Sequence, residues 1–406
     1  MPNLAVIGMG RRAGWMVERF AAIAPEFKVV AAADPNVDAA RANLRNAGVD
    51  DGVGIFSDGD DLLQDADRYD ALLIGSSCHL HTPLAVKAAE TGLPLFLEKP
   101  VSVSYEQATQ LRDAYRGREK TVVVSFPLRV TPLFRKVMEI VESGRLGTIN
   151  QVQAINNVPY GWVYYGRPVH REYGVSGGLW LQKTTHDFDY LNQILGRATA
   201  VTAMMSRTVY GGDMPQDLMC SACDLAETCA ESPQNMNNFG THEGLIMADH
   251  PCVFGSEIMN QDAGSALVQY ESGIHASYTQ NFVTRKSAAT RGAIVTGYEA
   301  TLSFDWYTHT ITVTDHHGEG VEEFEIRATT GHLGGDDALI ENFRDVCLGR
   351  DESKSDLSAG ITSVLMCLAA RESAHRQSWV PISPIDAPQF PQHVELAATP
   401  SDLEPA

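Results

Sequence analysis

A doubly wound parallel α/β domain followed by an α+β domain on a mostly antiparallel, open-faced sheet is the fold this sequence predicts. Three observations carry it. Apolar runs alternate with amphipathic segments up to about residue 125, strand-like segments with short connections follow from about residue 149, and a glycine-rich turn closes the first apolar run. In the first part, residues 4–7, 29–33, 71–74, 95–97 and 122–124 read as strands. Residues 15–23, 37–47, 82–91 and 105–115 read as helices between them. Alternation of this kind is how a parallel sheet with helices on both faces is written.

A helix from Pro132 to about Ser143 and the turn Gly144-Arg145-Leu146-Gly147 lead into the second domain. Segments 149–156, 198–202, 265–270, 274–280, 291–296, 300–304 and 310–314 have strand character, and their short connections suit antiparallel pairing. Helical periodicity returns over 336–348 and 358–374, and these helices are expected to pack back on the first domain. The expected boundaries are therefore 1–125, 126–380 and a Pro- and acid-rich extended tail over 381–406.

The turn after the first strand is Gly8-Met9-Gly10-Arg11-Arg12-Ala13-Gly14, the signature of a Rossmann nucleotide-binding βαβ unit. Gly8 permits the tight turn, Gly10 lets a pyrophosphate approach the backbone, and Ala13 is small enough for close packing of helix on strand. Free N–H groups at the helix start would meet the phosphates. Asp34 ends the second strand, where its carboxylate can accept from both ribose hydroxyls and would repel a 2′-phosphate. NAD is therefore favoured. Arg11 and Arg12 are candidate phosphate contacts and keep NADP open.

At 406 residues, with 44% hydrophobic content, the chain is long enough for two substantial cores. Its formal charge of -20 argues against nucleic acid or anionic membrane as partners, since both are held by Lys and Arg. Neither a signal-like leader nor a run of about 18 apolar residues is apparent, and a cytoplasmic location is expected. Of seven cysteines, Cys78, Cys347 and Cys367 read as small core residues. Cys220-x2-Cys223-x5-Cys229, followed by Cys252, is a spacing that suggests metal more than disulfides.

Glu98-Lys99-Pro100 follows a strand of the first domain, and His186-Asp187-Phe188-Asp189 lies on an expected helix of the second. With the N-terminal turn, these motifs resemble the glucose-fructose oxidoreductase, inositol dehydrogenase and rhizopine-catabolism (Gfo/Idh/MocA) family, with matches spread from Ala5 to about Ser373. The resemblance implies that Lys99 lies beside nicotinamide and substrate, with Glu98 and Pro100 forming its turn, often through a cis peptide. It also implies that Ser76, Ser77 and His81 contact the nicotinamide ribose and diphosphate. The family's second motif corresponds to Gly177, Gly178, Gln182 and His186, with Gln182 standing where inositol dehydrogenase-like members carry Asp. An amide can hold a hydroxyl but cannot take its proton, and Lys183 is the residue placed to compensate. Oxidising a secondary alcohol requires a base for the hydroxyl proton, and His186, which titrates near neutrality, is the candidate. Asp189, one turn further on, would orient its imidazole or serve the helix structurally.

The same resemblance suggests Arg129 and His332 as substrate contacts. Tyr160, Trp162, Tyr164, Tyr165 and Arg167 form a polar-aromatic stretch on which a sugar would stack. Some branches carry a cysteine-rich insertion, here about 215–252, in which Cys220, Cys223, Cys229 and Cys252 would hold a structural zinc, His242 and His250 being substitutes for one thiolate. The expected activity is hydride transfer between NAD(P) and a secondary alcohol carbon of a sugar, sugar derivative or cyclic polyol, in a homodimer or homotetramer. Glycoside cleavage through transient oxidation and a non-catalytic ligand sensor are the alternatives.

Overall fold

The computed structural model describes residues 2–49, 51–238, 247–327 and 331–382. Its first part comprises β1 (Asn3–Ile7), α1 (Arg11–Ile23), β2 (Lys28–Ala33), α2 (Val37–Asn46), β3 (Gly54–Phe56), α3 (Gly59–Gln64), β4 (Ala71–Ile74), α4 (Cys78–Glu90), β5 (Leu95–Leu97), α5 (Tyr105–Ala114) and β6 (Val122–Val124). The strands run parallel in the order β3-β2-β1-β4-β5-β6. β1 is covered on both faces, Ala5 and Ile7 entering one core and Leu4 and Val6 the other. That is why its sequence is continuously apolar. Strand order reverses between β1 and β4, and a crevice opens beyond their carboxyl ends, where folds of this kind receive ligands.

Two elements here had no clear sequence signal. β3 is only three residues long, and α3 is a short acidic helix capped by Asp58, whose Oδ1 accepts from the Asp60 N–H at 2.6 Å. Two helices also begin earlier than their apolar periodicity: α1 at Arg11 and not 15, α4 at Cys78 and not 82. In α4 the interior Pro83 has no N–H for the His79 carbonyl one turn back. Gln107 Nε2 of α5 donates to that oxygen instead, at 3.0 Å.

The second part begins with α6 (Pro132–Glu142), started by Thr131, whose hydroxyl accepts from the Phe134 N–H at 3.1 Å. β7 (Ile149–Asn157) follows, then three one-turn helices, α7 (Val163–Gly166), α8 (Pro168–Arg171) and α9 (Tyr173–Ser176). A π-helical turn, Trp180–Thr184, runs into α10 (Thr185–Leu195). Beyond β8 (Ala198–Ser206) and α11 (Pro233–Asn238) come β9 (Ala263–Tyr270), β10 (His275–Asn281), β11 (Thr290–Gly297), β12 (Ala300–Asp305), β13 (Thr310–Asp315) and β14 (Val321–Glu325). α12 (Gly335–Cys347), α13 (Leu357–Arg376) and β15 (Val380–Pro381) complete the described chain.

The second sheet has the order β14-β13-β12-β11-β7-β10-β9-β8-β15 and is antiparallel except between β7 and β10. Along β9, buried and exposed residues alternate, as a sheet with one covered face requires. Tyr190, Leu191 and Val364 of α10 and α13 join the core on its covered face. Met204, Leu267 and Ile294 stand exposed on strands of the sheet. α12 returns to the first sheet, where Phe343 packs edge-on against Phe20 and Phe96 at 6.0 and 5.6 Å. No helix among the described residues is long and apolar enough to cross a membrane.

Candidate functional site

Three loops meet at the crevice: the glycine turn after β1, Gly75-Ser76-Ser77 after β4, and Glu98-Lys99-Pro100 after β5. Gly8 has φ +83°, and a Cβ there would lie 2.5 Å from the Ser76 backbone, so the first two loops can touch only through glycine. A Cβ at Gly10 would meet nothing within 4 Å, which leaves open space above the helix start. Asp34 braces the turn: its Oδ2 accepts from the Met9 N–H at 3.0 Å and its Oδ1 from the Asn36 N–H at 2.8 Å. Each carboxylate oxygen keeps acceptor capacity for another donor. These residues fit a dinucleotide.

Arg12, expected at a phosphate, is committed elsewhere. Its Nε donates to Glu98 at 2.8 Å and its Nη2 to Asp336 at 2.6 Å. Asp336 also meets His332 Nδ1 at 2.7 Å, so a charged chain runs from the Glu98 turn through α1 to α12. Burial pushes the Glu98 and Asp336 carboxyls up, but Arg12 for Glu98, and His332 with Arg12 for Asp336, hold both below the usual carboxylate range. His332 and Leu333 both sit at positive φ, 42° and 59°, a conformation that non-glycine residues rarely hold and that concentrates at functional segments.

His81 is buried, with Nδ1 2.7 Å from the Pro100 carbonyl oxygen and Nε2 2.9 Å from that of Ser76. It thus ties the second loop to the third. The Lys99–Pro100 peptide is cis. Lys99 Nζ donates to the Gln182 backbone carbonyl at 2.9 Å, while the Gln182 side chain turns away and donates from Nε2 to Cys78 Sγ at 3.1 Å. Cys78, read as a core residue, therefore belongs to this cluster. The only sequence hint was its place directly after Ser76 and Ser77. Burial depresses the Lys99 ammonium, with Cys78 and Glu98 opposing.

His186 lies on the first turn of α10, 6% exposed, edge-on to Phe126 at 5.7 Å, and its buried Nδ1 has no hydrogen-bond partner. Burial, reinforced by Lys99, Arg291 and Lys183, holds it neutral well below the ordinary histidine range. Next along, Asp187 is fully enclosed. Its Oδ1 accepts from Arg291 Nε at 2.9 Å, and its Oδ2 from Asn156 Nδ2 at 2.6 Å and Tyr278 Oη at 2.8 Å. The π-helical turn adds a residue per turn just before α10 and presents Gln182 and Lys183. Sequence spacing read as an α-helix gave no sign of it.

Several expected contacts lie elsewhere. Arg129 is bound through two nitrogens to Asp189, at 3.0 and 2.9 Å, and to the Lys354 carbonyl at 2.9 Å, so it is not turned to a substrate. Asp189 therefore serves Arg129 and not His186, and burial raises its carboxyl to about 6 in spite of that partner. Trp162 is fully buried against His250, ring centres 5.4 Å apart, and Tyr165 stacks on Tyr210 at 3.9 Å. Both rings fill small apolar clusters, Tyr165 with Tyr210 and Val253 and Trp162 with Val163 and Met236.

The zinc expectation is not met either. Among the described residues no three His, Cys, Asp or Glu side chains are arranged to hold a metal ion. Cys220, Cys223, Cys229 and Cys252 are free, and His250 has both ring nitrogens near carbonyl oxygens, of Pro251 at 2.9 Å and Glu231 at 3.1 Å. Trp162, packed on His250, forms a small apolar cluster with Val163 and Met236. His242 lies outside the described residues.

A pH prediction arises from the buried histidines. Burial lowers His81 and His186, and His170 falls to about 4. Between the folded and unfolded pKa values such a group binds more protons unfolded than folded, so stability falls as pH drops below about 6.5. The expected slope is up to about 1.4 kcal/mol per pH unit for each histidine. Urea unfolding at pH 7 and 5.5 measures it, and His186→Asn should flatten the decline.

Comparison with known proteins gives a consistent picture. Residues 3–126 match the profile described as the Gfo/Idh/MocA oxidoreductase family, NAD-binding Rossmann fold, and residues 134–303 match the profile of a Gfo/Idh/MocA C-terminal domain. Levoglucosan dehydrogenase of Pseudarthrobacter phenanthrenivorans is 25% identical over 386 residues, 89% of this chain and 91% of the relative. Myo-inositol 2-dehydrogenase of Thermotoga maritima is 27% identical over 195 residues, 48% of this chain and 55% of the relative. A solved levoglucosan dehydrogenase in complex with NADH and L-sorbose superposes with a TM-score of 0.76 at 17% identity, over 95% of this chain and all of that one, and so shares its fold.

Proposed function

The chain belongs to the Gfo/Idh/MocA oxidoreductase family, and from that premise we propose that it transfers hydride between a nicotinamide cofactor and a secondary alcohol carbon of a sugar, sugar derivative or cyclic polyol. The observation that carries the reading is the meeting of Lys99 with the Gln182 turn at the carboxyl edge of the parallel sheet. An ammonium there donates to the substrate oxygen and stabilises the negative charge that grows on it as its proton leaves, or, in the reductive direction, as hydride reaches the carbonyl carbon. His186 stays neutral beside Lys99 and offers a second contact to the same end of the substrate. When bound, the cofactor supplies the hydride acceptor. Gly8, Gly10 and Ala13 shape its diphosphate site, Asp34 receives the ribose hydroxyls, and Ser76, Ser77 and the Glu98-Lys99-Pro100 turn flank its nicotinamide end.

The preferred cofactor is NAD. Asp34 presents negative charge at the ribose edge, and Arg12, tied to Glu98 and Asp336, does not turn outward to a 2′-phosphate. Asp34→Ser is expected to weaken NADH binding about tenfold and to narrow the preference over NADPH, a loss of about 1.4 kcal/mol read by fluorescence titration. Equal weakening of both cofactors would assign Asp34 to bracing the turn alone.

Purified protein with NAD or NADP and a panel of sugars, inositols and glycosides tests the activity. Reduced nicotinamide together with an oxidised, intact sugar is the expected result. Cleaved glycoside without net reduction would replace the reading with transient oxidation, and no turnover with any member would leave a ligand sensor.

A further inference from the structure

Tyr160 and Lys183 form a pair that the reading above does not use. Lys183 Nζ donates to Tyr160 Oη at 2.5 Å and lies 4.8 Å from the ring centre, and Lys183 is 5% exposed. Gly161 makes the approach possible: a Cβ there would fall 1.8 Å from the Phe282 carbonyl oxygen, so only glycine lets the segment after β7 press against the end of β10. The Lys183 side of the pair is set by the π-helical turn, the same turn whose Gln182 carbonyl receives Lys99.

The cations acting on Tyr160 include Lys183, Arg291 and Lys99; Arg291 is paired with Asp187, Glu98 acts on Lys99, and burial depresses both lysine ammonium groups. Tyr164 and Tyr307 also face it, and burial holds both as neutral phenols. Burial disfavours ionisation of Tyr160 as well, yet the Lys183 and Arg291 charges outweigh it and bring this phenol below the ordinary tyrosine range. The Lys183 hydrogen bond and the Arg291 and Lys99 charges, set against the Asp187 and Glu98 carboxylates, favour an anion there. His186, in contrast, is a base weakened by burial and by the same cations.

We propose that Tyr160, held by Lys183, takes the hydroxyl proton of the substrate while Lys99 binds the same oxygen. The inference rests on the dehydrogenase reading. In the oxidative direction the C–H electron pair leaves as hydride to the oxidised nicotinamide, and the C=O bond forms from the O–H pair. The released proton bonds to the phenolate oxygen of Tyr160, and the next turnover begins once that proton passes to solvent. Gln182 cannot serve in this way, because an amide has no basic site near neutrality.

Near-ultraviolet titration of tyrosinate and steady-state kinetics on the full chain test it, with Tyr160→Phe and Lys183→Met beside the parent. The expected result is a tyrosinate step below the ordinary range in the parent, absent in Tyr160→Phe and moved upward in Lys183→Met. Tyr160→Phe should lower kcat about a hundredfold with a smaller change in KM. Lys183→Met should move the acidic limb of kcat/KM to higher pH. Identical titrations for the parent and Tyr160→Phe, or kcat in that variant within about threefold of the parent, would overturn the proposal while parent turnover left the dehydrogenase reading standing. A tyrosinate step without cofactor reduction by any alcohol would overturn the dehydrogenase reading itself, and the proton-acceptor role with it.

Discussion

Lys99→Met is expected to lower kcat/KM by about 10²- to 10⁴-fold while cofactor affinity stays within about threefold of the parent. The lysine sits where three loops converge, and its nitrogen already reaches 2.9 Å to the Gln182 carbonyl across from the sheet edge. Methionine keeps most of the length and bulk but removes the ammonium. The loss should therefore fall on the step in which the substrate oxygen changes charge and not on binding of the nucleotide, for which Gly10 and Asp34 are the proposed contacts. Steady-state kinetics with fluorescence titration of the reduced cofactor separates the two. A fall in cofactor affinity large enough to account for the whole loss would make Lys99 a nucleotide contact only.

Arg291→Met should destabilise the fold by about 3–5 kcal/mol, because it strands the Asp187 carboxylate in a buried site without its charged partner. Both side chains are buried, 7% and 0% exposed, and the Arg291 nitrogens lie 2.9 and 2.8 Å from one Asp187 oxygen. Asn156 and Tyr278 donate to the other oxygen but carry no charge. Asp187→Leu combined with Arg291→Met removes both charges, and the double variant is expected to recover part of the loss. Urea unfolding of the two single variants and the double measures the coupling. Equal and additive losses would mean that the pair contributes nothing beyond its packing.

Much of this could be read in the chain because the motifs that mark the crevice are local. Gly8, Gly10 and Asp34 sit where a βαβ turn must place them, and an unbroken apolar run such as Leu4 to Ile7 identifies a strand covered on both faces. Residues whose placement depends on long-range partners were harder. Arg12 looks like a phosphate ligand until Asp336, 324 positions away, claims it. Trp162 and Tyr165 look like a sugar platform, but His250 and Tyr210, far along the chain, pack against them and both are buried. The π-helical turn has no residue signature of its own, so the spacing from Gln182 to His186 was read as one α-helical turn. Cys78 shares its composition cues with any core cysteine, and only the approach of Gln182 separates it from Cys367.

The last helices also bear on how the molecule comes to be made. Leu339, Ile340 and Phe343 of α12 complete a core whose other buried members, Phe20 and Phe96 among them, lie in the first 130 residues. Synthesis proceeds from the N-terminus, so the nucleotide-binding sheet emerges from the ribosome with an apolar face that stays uncovered until more than two hundred further residues have been added. For that interval the nascent first domain exposes that face, and a fragment ending before α12 is expected to aggregate when expressed alone. The nucleotide site is thus completed late in translation, by a segment that belongs to the other end of the chain.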